Sequence, residues 1–159
     1  MSATIEQQLI LHEDLRLKTY RCTAGKLSIA VGRNLDDVGI RPAETAALGI
    51  TKASVIRDGV TRAQAMALLA FDLVIARAAL DRLVPGWQGA DRVRRKVLED
   101  LSFNLGEARL AKFKNTLAAA RRRDWAAVAA GMRDSEWFHQ VGSRAPRLVK
   151  MMEAGADYV

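Results

Sequence analysis

The stretch LHEDLRLKTYRCTAGKLSIAVGRNL, residues 11–35, decides how the rest of this chain is interpreted. It begins at the end of a helical pattern and continues into two short runs of alternating apolar and polar residues, with Gly25 in the turn between them. It carries a carboxylate, a thiol and a hydroxyl at Glu13, Cys22 and Ser28, with eight residues between the first two and five between the last two. We therefore expect a helix, a small antiparallel sheet and three reactive groups close together.

This stretch and the residues on either side of it predict short helices and strands. Residues 2–13 have helical spacing, and the alternating runs favour strands near 15–20 and 27–31. The segment LDDVGI reads as a loop. Pro42 is suited to the first turn of a short helix that ends before Gly49. The N-terminal third of the chain is thus predicted to be a small α+β unit.

The rest of the chain is predicted to be helical. Thr61 and Gln64 form a T-x-x-Q capping box at the start of a long apolar pattern that continues to Val84, before Pro85-Gly86. Further helices are expected at 90–105 and near 115–122, followed by three that begin after the N-caps Asp124, Ser135 and Ser143. We expect Trp125, Trp137 and Phe138 to lie in the core of these helices. The fold class is α+β and predominantly helical.

Composition excludes several classes of protein. The chain has 159 residues with a net charge of +7 and one cysteine, so an internal disulfide is impossible. We find no low-complexity segment and no apolar run near the roughly 20 residues that span a bilayer. The N-terminal sequence lacks the pattern of a secretory signal, so we expect the protein to begin in the cytoplasm. The basic residues of the second half either form solvated helix faces or bind an anionic polymer.

Five segments, in order, give the chain a resemblance to a known family. They are HEDLRLKTYRCTAGKLSIAVGRNL (12–35), LSFNLGE (101–107), FKNTL (113–117), RRDWAAVAAGM (122–132) and SEWFHQVGSRAPRLV (135–149). The first contains the spacing E-x8-C-x5-S, where the family has E-x8-(D/C)-x5-T. The chain resembles the phage-type lysozymes, the T4-like endolysins of glycoside hydrolase family 24.

The resemblance implies a lysozyme-like fold of two lobes in a single domain, 1–159. The sheet-containing lobe would cover 12–60, and the helical lobe would cover 1–11 with 85–159. Helix 61–84 would join them, and the substrate cleft would lie between the lobes. The implied activity is that of a muramidase, a glycoside hydrolase that cleaves the β-1,4 bond between N-acetylmuramic acid and N-acetylglucosamine in peptidoglycan during host lysis.

The resemblance also implies roles for individual residues. Glu13 matches the catalytic glutamate, which protonates the leaving glycosidic oxygen. Cys22 would stabilise the developing positive charge on the sugar or orient the attacking water, and Ser28 would help position that water. Arg144 matches an arginine that pairs with the catalytic glutamate. The remaining matches are substrate contacts at Phe103 and Thr116, with Asn34 at the rim of the cleft by position.

The chain departs from the family pattern around this site. Ser28 replaces threonine, while Asp14 and Ala30 stand where relatives have glycine. Asp14 either adds a second negative charge beside Glu13 or points to solvent. Gly131 falls where the family has an asparagine that contacts substrate, so that contact is expected to be absent. Arg21 and Lys26 are expected to lower the pKa of Cys22, although a lone cysteine is by itself usually a small buried apolar residue.

These patterns leave two functions from different classes. The first is a monomeric peptidoglycan hydrolase without cofactor or metal, because His12 and His139 are too isolated for a metal site. It would need a holin-type pore to reach the wall, and its amphipathic segment 143–154 would allow it to disturb an anionic outer membrane. The second is a non-catalytic or weakly active module that binds the wall through basic residues. Charge alone suggests nucleic acid, and we expect no such partner.

Overall fold

The computed structural model describes residues 2–159, which form ten α-helices, one 3₁₀ helix and a three-stranded sheet. This confirms the predominantly helical α+β fold with a small antiparallel sheet. In chain order the elements are α1 (Ile5–Glu13), β1 (Arg16–Arg21), β2 (Leu27–Ala30), β3 (Arg33–Asn34), α2 (Pro42–Leu48), α3 (Lys52–Asp58), α4 (Arg62–Leu83), the 3₁₀ helix (Trp87–Gly89), α5 (Arg92–Leu105), α6 (Glu107–Leu110), α7 (Lys114–Arg121), α8 (Trp125–Arg133), α9 (Glu136–Gln140) and α10 (Arg144–Ala154).

The chain divides into two compact units. The N-terminal unit comprises residues 6–72 and contains the whole sheet. The C-terminal unit comprises residues 73–159 together with the first residues up to Ile5. The division falls within α4, so the first half of this helix belongs to one unit and the second half to the other.

The sheet has the order β1-β2-β3, and both strand pairs are antiparallel. In the first pair Tyr20 lies opposite Ser28, and Arg16 lies opposite Ala30. Between these positions β1 advances by four residues and β2 by two, so β1 contains an irregularity of the β-bulge type. In the second pair Ser28 lies opposite Asn34. The strand β3 is too short to show alternation, which is why its sequence did not reveal it.

An apolar core and a buried ionic cluster hold the N-terminal unit together. The core contains Ile29, Ala30, Leu35, Ile50, Val55, Val60, Ala65 and Leu68. Beside it, the buried guanidinium of Arg33 donates to both oxygens of the buried Glu44, at 2.8 and 2.6 Å. Arg33 also contacts Asp72, and Arg41 contacts Glu44 and Asp72. We call these four residues the Arg33 cluster.

The C-terminal unit has the larger core. α10 packs on α8 and α5, and its buried residues include Leu148, Met151 and Met152. Trp137 is 2% exposed and its indole N–H donates to Asn104 Oδ1 at 2.8 Å. Trp125 and Phe138 pack against the same cluster. The expectation that these aromatic residues belong to the core is confirmed.

Most of the predicted helix starts are confirmed by their hydrogen bonds. Gln64 N–H donates to Thr61 Oγ1 at 3.1 Å, and Thr61 N–H donates to Gln64 Oε1 at 2.9 Å, which is the reciprocal pattern of a capping box. Asp124 and Ser135 accept from the N–H groups three residues on. The prediction for Ser143 was wrong: its backbone is already helical, and its side chain makes no capping bond. α3 and α6 were missed. α6 has only four residues, and α3 starts with a reciprocal cap between Thr51 and Ser54, which lacks the Glu or Gln that usually marks a capping box in sequence.

α4 is long and apolar enough, by length and composition, to cross a membrane, with a mean hydropathy of 1.6 over its most apolar window. The expectation of no such run therefore needs correction. Asp72 and Arg77 interrupt its apolar sequence, and 39% of the most apolar window is buried, while Val74 and Ile75 are exposed. The buried apolar residues of the helix are Ala65, Leu68, Leu69, Leu73, Ala76, Ala79 and Leu80. The core helix of a soluble protein commonly has this composition.

Candidate active site

The carboxyl group of Glu13 lies directly against Gly32. Glu13 is the last residue of α1 and is half-buried. A Cβ atom built on Gly32 would stand 2.9 Å from Glu13 Oε2 and 3.0 Å from its Cδ. Gly32 also has φ of +64°, a left-handed conformation that strains any residue with a side chain. Both observations require glycine at position 32 if the carboxyl group is to stay where it is.

The hairpin between β1 and β2 brings Cys22 and Ser28 together. The N–H of Cys22 donates to the Lys26 carbonyl at 3.0 Å, and the Gly25 N–H donates back to the Cys22 carbonyl at 2.8 Å. The Ser28 hydroxyl lies within hydrogen-bonding reach of the Lys26 carbonyl, at 3.2 Å, and of the Cys22 sulfur. The thiol and the hydroxyl therefore face the same side of the hairpin.

The pKa of the Cys22 thiol lies below its ordinary value. Burial acts to raise this pKa, but hydrogen bonds to the sulfur from the backbone N–H groups of Lys26 and Ala24 and from the Ser28 hydroxyl outweigh it. The expected cause was the charge of Arg21 and Lys26. In the structure these two side chains contact Asp36 and Asp37 instead. The thiolate is favoured by local hydrogen bonds rather than by the neighbouring cations.

The two departures from glycine near Glu13 both lie in left-handed backbone. Asp14 has φ of +68° and Ala30 has φ of +58°. This explains the glycines of the family pattern, because glycine alone adopts such angles without strain. The carboxylate of Asp14 is exposed, accepts from the Leu15 N–H at 2.9 Å and contacts Arg16. Of the two alternatives for Asp14, the structure favours the one in which its side chain points to solvent.

Asn34, expected at the rim of the cleft, lies opposite Ser28 in the sheet, and its side chain is engaged in a turn. Its amide N–H donates to Asp37 Oδ2 at 2.9 Å, and its Oδ1 accepts from the Asp37 N–H at 2.9 Å. This pair closes the loop after β3. A contact between Asn34 and substrate would compete with these hydrogen bonds.

Tyr20 was missed by the sequence analysis. It lies opposite Ser28 and two residues before Cys22, so strand alternation alone would have placed it on the same side of the hairpin. Burial and the carboxylate of Glu13 raise the pKa of Tyr20, with smaller contributions from Cys22 and Asp14. The tyrosine therefore belongs to the same group of residues as Glu13, Cys22 and Ser28.

The other predicted site residues lie in the C-terminal unit. Arg144 begins α10 and is buried, and its Nε donates to Asp100 Oδ1 at 2.9 Å. Phe103 lies half-buried on α5. Thr116 on α7 packs against Gly131 on α8 so closely that a Cβ atom on Gly131 would stand 2.1 Å from Thr116 Oγ1. A larger residue at position 131 would displace the Thr116 side chain.

Thr116 and Gly131 line an open cavity of about 630 Å³ within the C-terminal unit. Its wall also contains the aromatic residues Phe113 and Trp137. Charged residues of both signs surround it, namely Arg109, Lys112, Lys114, Asp134 and Glu136. The cavity is large enough for a sugar or a short peptide, and Phe103 is not part of its wall.

The segment expected to disturb an outer membrane is α10. Its apolar side, which includes Ala145, Leu148 and Val149, is buried in the core of the C-terminal unit. Only its polar side, for example Lys150, is exposed. Among residues 2–159 we find no group of three or more His, Cys, Asp or Glu side chains arranged to hold a metal ion.

Comparison with known proteins agrees with the resemblance. The family model described as phage lysozyme matches residues 11–154. Probable T4-type lysozyme 1 of Dictyostelium discoideum is 24% identical over 98% of this chain and 96% of its own length. The pre-baseplate central spike protein Gp5 of Enterobacteria phage T4 is 28% identical over 96% of this chain, which spans only 28% of that protein. Peptidoglycan hydrolase gp36 of Pseudomonas phage phiKMV is 38% identical over 38% of this chain and 7% of its own length.

Proposed function

Because the chain belongs to the phage lysozyme family, we propose that it hydrolyses the β-1,4 bond between N-acetylmuramic acid and N-acetylglucosamine in peptidoglycan, with Glu13 as the general acid. The observation that most directly supports this is the close contact of the Glu13 carboxyl with Gly32, beside the hairpin that carries Cys22 and Ser28. Glycoside hydrolysis by a single displacement requires a general acid and a general base, usually two carboxyl groups. In this proposal Glu13 is the acid, and the thiolate of Cys22 takes the place of the second carboxylate as the base.

The proposed reaction is a single displacement with inversion. Glu13 donates its proton to the glycosidic oxygen as the bond from this oxygen to the anomeric carbon breaks. Water attacks the anomeric carbon from the opposite face, oriented by Ser28, and gives its proton to the Cys22 thiolate. The lowered pKa of Cys22 favours this role, because more of the thiol is then ionised near neutral pH. Proton exchange with solvent afterwards restores the carboxylic acid and the thiolate.

The substitution Glu13→Gln tests the proposal. We expect it to lower the release of reducing ends from purified peptidoglycan by about 10²- to 10⁴-fold, the usual contribution of a general acid. Glu6→Gln, on the first turn of the same helix, is the matched control and should leave activity unchanged. Full activity of the Glu13 variant would exclude the assignment. Binding of the parent protein to peptidoglycan without release of reducing ends would favour the non-catalytic wall-binding module.

A separate test concerns Cys22, the chain's one cysteine. Alkylation of the parent protein with iodoacetamide should abolish hydrolysis, because the adduct blocks both the base and the water position. Cys22→Asp should retain activity and resist the reagent, since a carboxylate can also accept the proton from water. Unchanged activity after complete alkylation, measured by mass spectrometry on the same sample, would show that the thiol has no part in the reaction.

The proposal includes a role in host lysis, in which the enzyme accumulates in the host cytoplasm and reaches the wall through a holin-type pore. The similarity to a spike protein supports an alternative in which the domain serves at a phage tail. Mass spectrometry of purified phage particles distinguishes them, because a tail component remains in the particle and a lysis enzyme does not. Any action on an anionic outer membrane from outside the cell would involve exposed basic residues such as Lys150. If a catalytically inactive Glu13→Gln variant leaves intact cells unharmed, this membrane action is excluded.

A further inference from the structure

The register of the hairpin next to its turn, where Arg21 pairs with Leu27 and Tyr20 with Ser28, gives Tyr20 a position at the candidate site. From Arg16 to Tyr20 β1 advances by four residues while its partner advances by two, and pairing resumes with Tyr20 opposite Ser28. Bulges of this kind redirect side chains and are common beside active sites. Because side chains on directly opposed residues share a face, Tyr20 lies on the side of the hairpin where the Ser28 hydroxyl meets the Cys22 sulfur.

The ring of Tyr20 is held by its neighbours. The guanidinium of Arg16 lies over the ring, 4.6 Å from its centroid, which is a cation–π contact. Arg16 is in turn oriented by Asp14, whose Oδ2 accepts from its Nε at 3.3 Å. Asp14 directly follows Glu13, so a short chain of contacts connects the candidate acid to the tyrosine ring. A ring fixed in this way presents its hydroxyl in a defined direction.

The hydroxyl of Tyr20 is available to a ligand. None of the hydrogen bonds found within residues 2–159 uses it, although the side chain is half-buried. Burial and the nearby Glu13 carboxylate raise its pKa, so it remains protonated, and therefore a donor, throughout the range of pH in which a carboxylic acid and a thiol exchange protons. Half-buried tyrosines commonly find a partner for their hydroxyl.

We propose that Tyr20 is a further substrate-contacting residue, whose hydroxyl donates a hydrogen bond to a hydroxyl or acetamido oxygen of the amino sugar held against Glu13. This rests on the proposed function. The contact fixes the sugar relative to the acid, so it contributes to binding and to the orientation of the bond that breaks. Arg16 is a positioning residue, which acts through the ring and does not touch substrate.

Binding and catalysis are tested separately. In a Glu13→Gln background, which does not turn over substrate, Tyr20→Phe should weaken binding of a soluble disaccharide-peptide fragment of peptidoglycan about 3- to 12-fold, as expected for one hydrogen bond. Tyr158→Phe alters the chain's other tyrosine, which is exposed in the C-terminal unit, and should leave the Kd unchanged. In the parent protein, which keeps Glu13 and turns over substrate, Tyr20→Phe should lower kcat/KM by at least the same factor without lowering Tm.

The outcomes distinguish the two proposals. If Glu13→Gln is inactive and Tyr20→Phe changes neither Kd nor kcat/KM by more than twofold, the tyrosine proposal fails and the proposed function stands. If Glu13→Gln remains active, the proposed function fails irrespective of Tyr20. Arg16→Gln keeps the hydroxyl but removes the contact with the ring, and we expect a smaller loss of affinity than in Tyr20→Phe. A loss confined to Tm in either variant would assign the residue a purely structural part.

Discussion

At the scale of single residues, the candidate acid is surrounded by backbone in unusual conformations. Asp14, Ala30 and Gly32 all have positive φ. Asp14 follows Glu13 in the chain, Gly32 lies against its carboxyl group, and Ala30 is the last residue of β2, two positions before Gly32. A left-handed conformation costs roughly 1–2 kcal/mol for a residue with a side chain. Two of the three positions therefore carry strain here. The chain tolerates it because Ala30 is buried in the core and Asp14 makes compensating local hydrogen bonds.

The first prediction concerns the contact between Gly32 and Glu13. Gly32→Ala should lower hydrolysis by about 10²-fold, because the new methyl group would stand only 2.9 Å from Glu13 Oε2 and would force the carboxyl group to shift. It should also lower the free energy of unfolding by about 1–2 kcal/mol through backbone strain. Rates on purified peptidoglycan and urea unfolding measure the two effects.

The control for this prediction is Gly25→Ala. Gly25 has φ of +77°, and a Cβ atom there would meet nothing within 4 Å. The control should lose a similar amount of stability, about 1–2 kcal/mol, and keep its activity. Equal losses of activity in both variants would show that strain in the hairpin, and not displacement of Glu13, controls the rate.

At the scale of elements, hydrogen bonds between near neighbours define where the helices start. The box of Thr61 and Gln64 fixes the beginning of α4, the longest helix, and Asp124 fixes that of α8. Such contacts require residues three positions apart, and they can be predicted from the sequence. Ser143 shows the limit, because its backbone is already helical and its hydroxyl makes no capping bond.

The second prediction compares the helix starts at Thr61 and Ser143. Thr61→Ala should lower the free energy of unfolding by about 1 kcal/mol, since it leaves the Gln64 N–H without its side-chain acceptor. Ser143→Ala should change it by less than about 0.5 kcal/mol, as for most surface substitutions that remove no specific contact. Urea unfolding monitored by circular dichroism measures both, and a larger loss in the Ser143 variant would contradict this account of the caps.

At the scale of the whole molecule, each unit is organised around its own core, and the N-terminal unit also around the Arg33 cluster. Burial acts to raise the pKa of Glu44, but hydrogen bonds from Arg33 and the Arg41 backbone outweigh it and hold this pKa below its ordinary value. The ionised form of Glu44 therefore stabilises the fold. This contribution is present above the pKa of an unfolded glutamate, about 4.3, and is lost as pH falls through the lower pKa of the folded state.

The third prediction follows from the lowered pKa of Glu44 in the folded state. Glu44→Gln should lower the free energy of unfolding at pH 7 by about 3 kcal/mol, the lower end of the usual cost of breaking a buried ion pair, because Arg33 loses Glu44 and keeps only Asp72 as a carboxylate partner. The variant should also lose less stability than the parent between pH 5 and pH 3. Glu107→Gln removes an exposed pair with Arg82 and serves as the control, with little change expected. Equal slopes against pH in the parent and the Glu44 variant would contradict the assignment.

Much of the fold was predictable from the sequence, because many of its elements depend on residues that are close together in the chain. The alternation on each side of Gly25 predicted the hairpin, and the capping residues predicted the starts of α4, α8 and α9. Of the missed elements, α6 and β3 are too short to complete a recognisable period, and α3 lacks a Pro at its first position or a Glu or Gln in its cap that would have marked its start. Among the candidate site residues, the motif spacing identified Glu13, Cys22 and Ser28. Tyr20 lies outside that motif, although strand alternation from Cys22 would have placed it on the same side of the hairpin.

The amino-acid sequence by itself determined the fold class, the family and the helix and hairpin that carry the three reactive groups, because these depend on motifs of residues that are near neighbours in the chain. The tertiary structure alone decided that the Glu13 carboxyl rests on Gly32, that β1 contains a bulge between Arg16 and Tyr20, and that local hydrogen bonds lower the pKa of Cys22. It also assembled the Arg33 cluster from residues as distant as 33 and 72. These features depend on strand register and on packing between separated segments, which local periodicity does not encode.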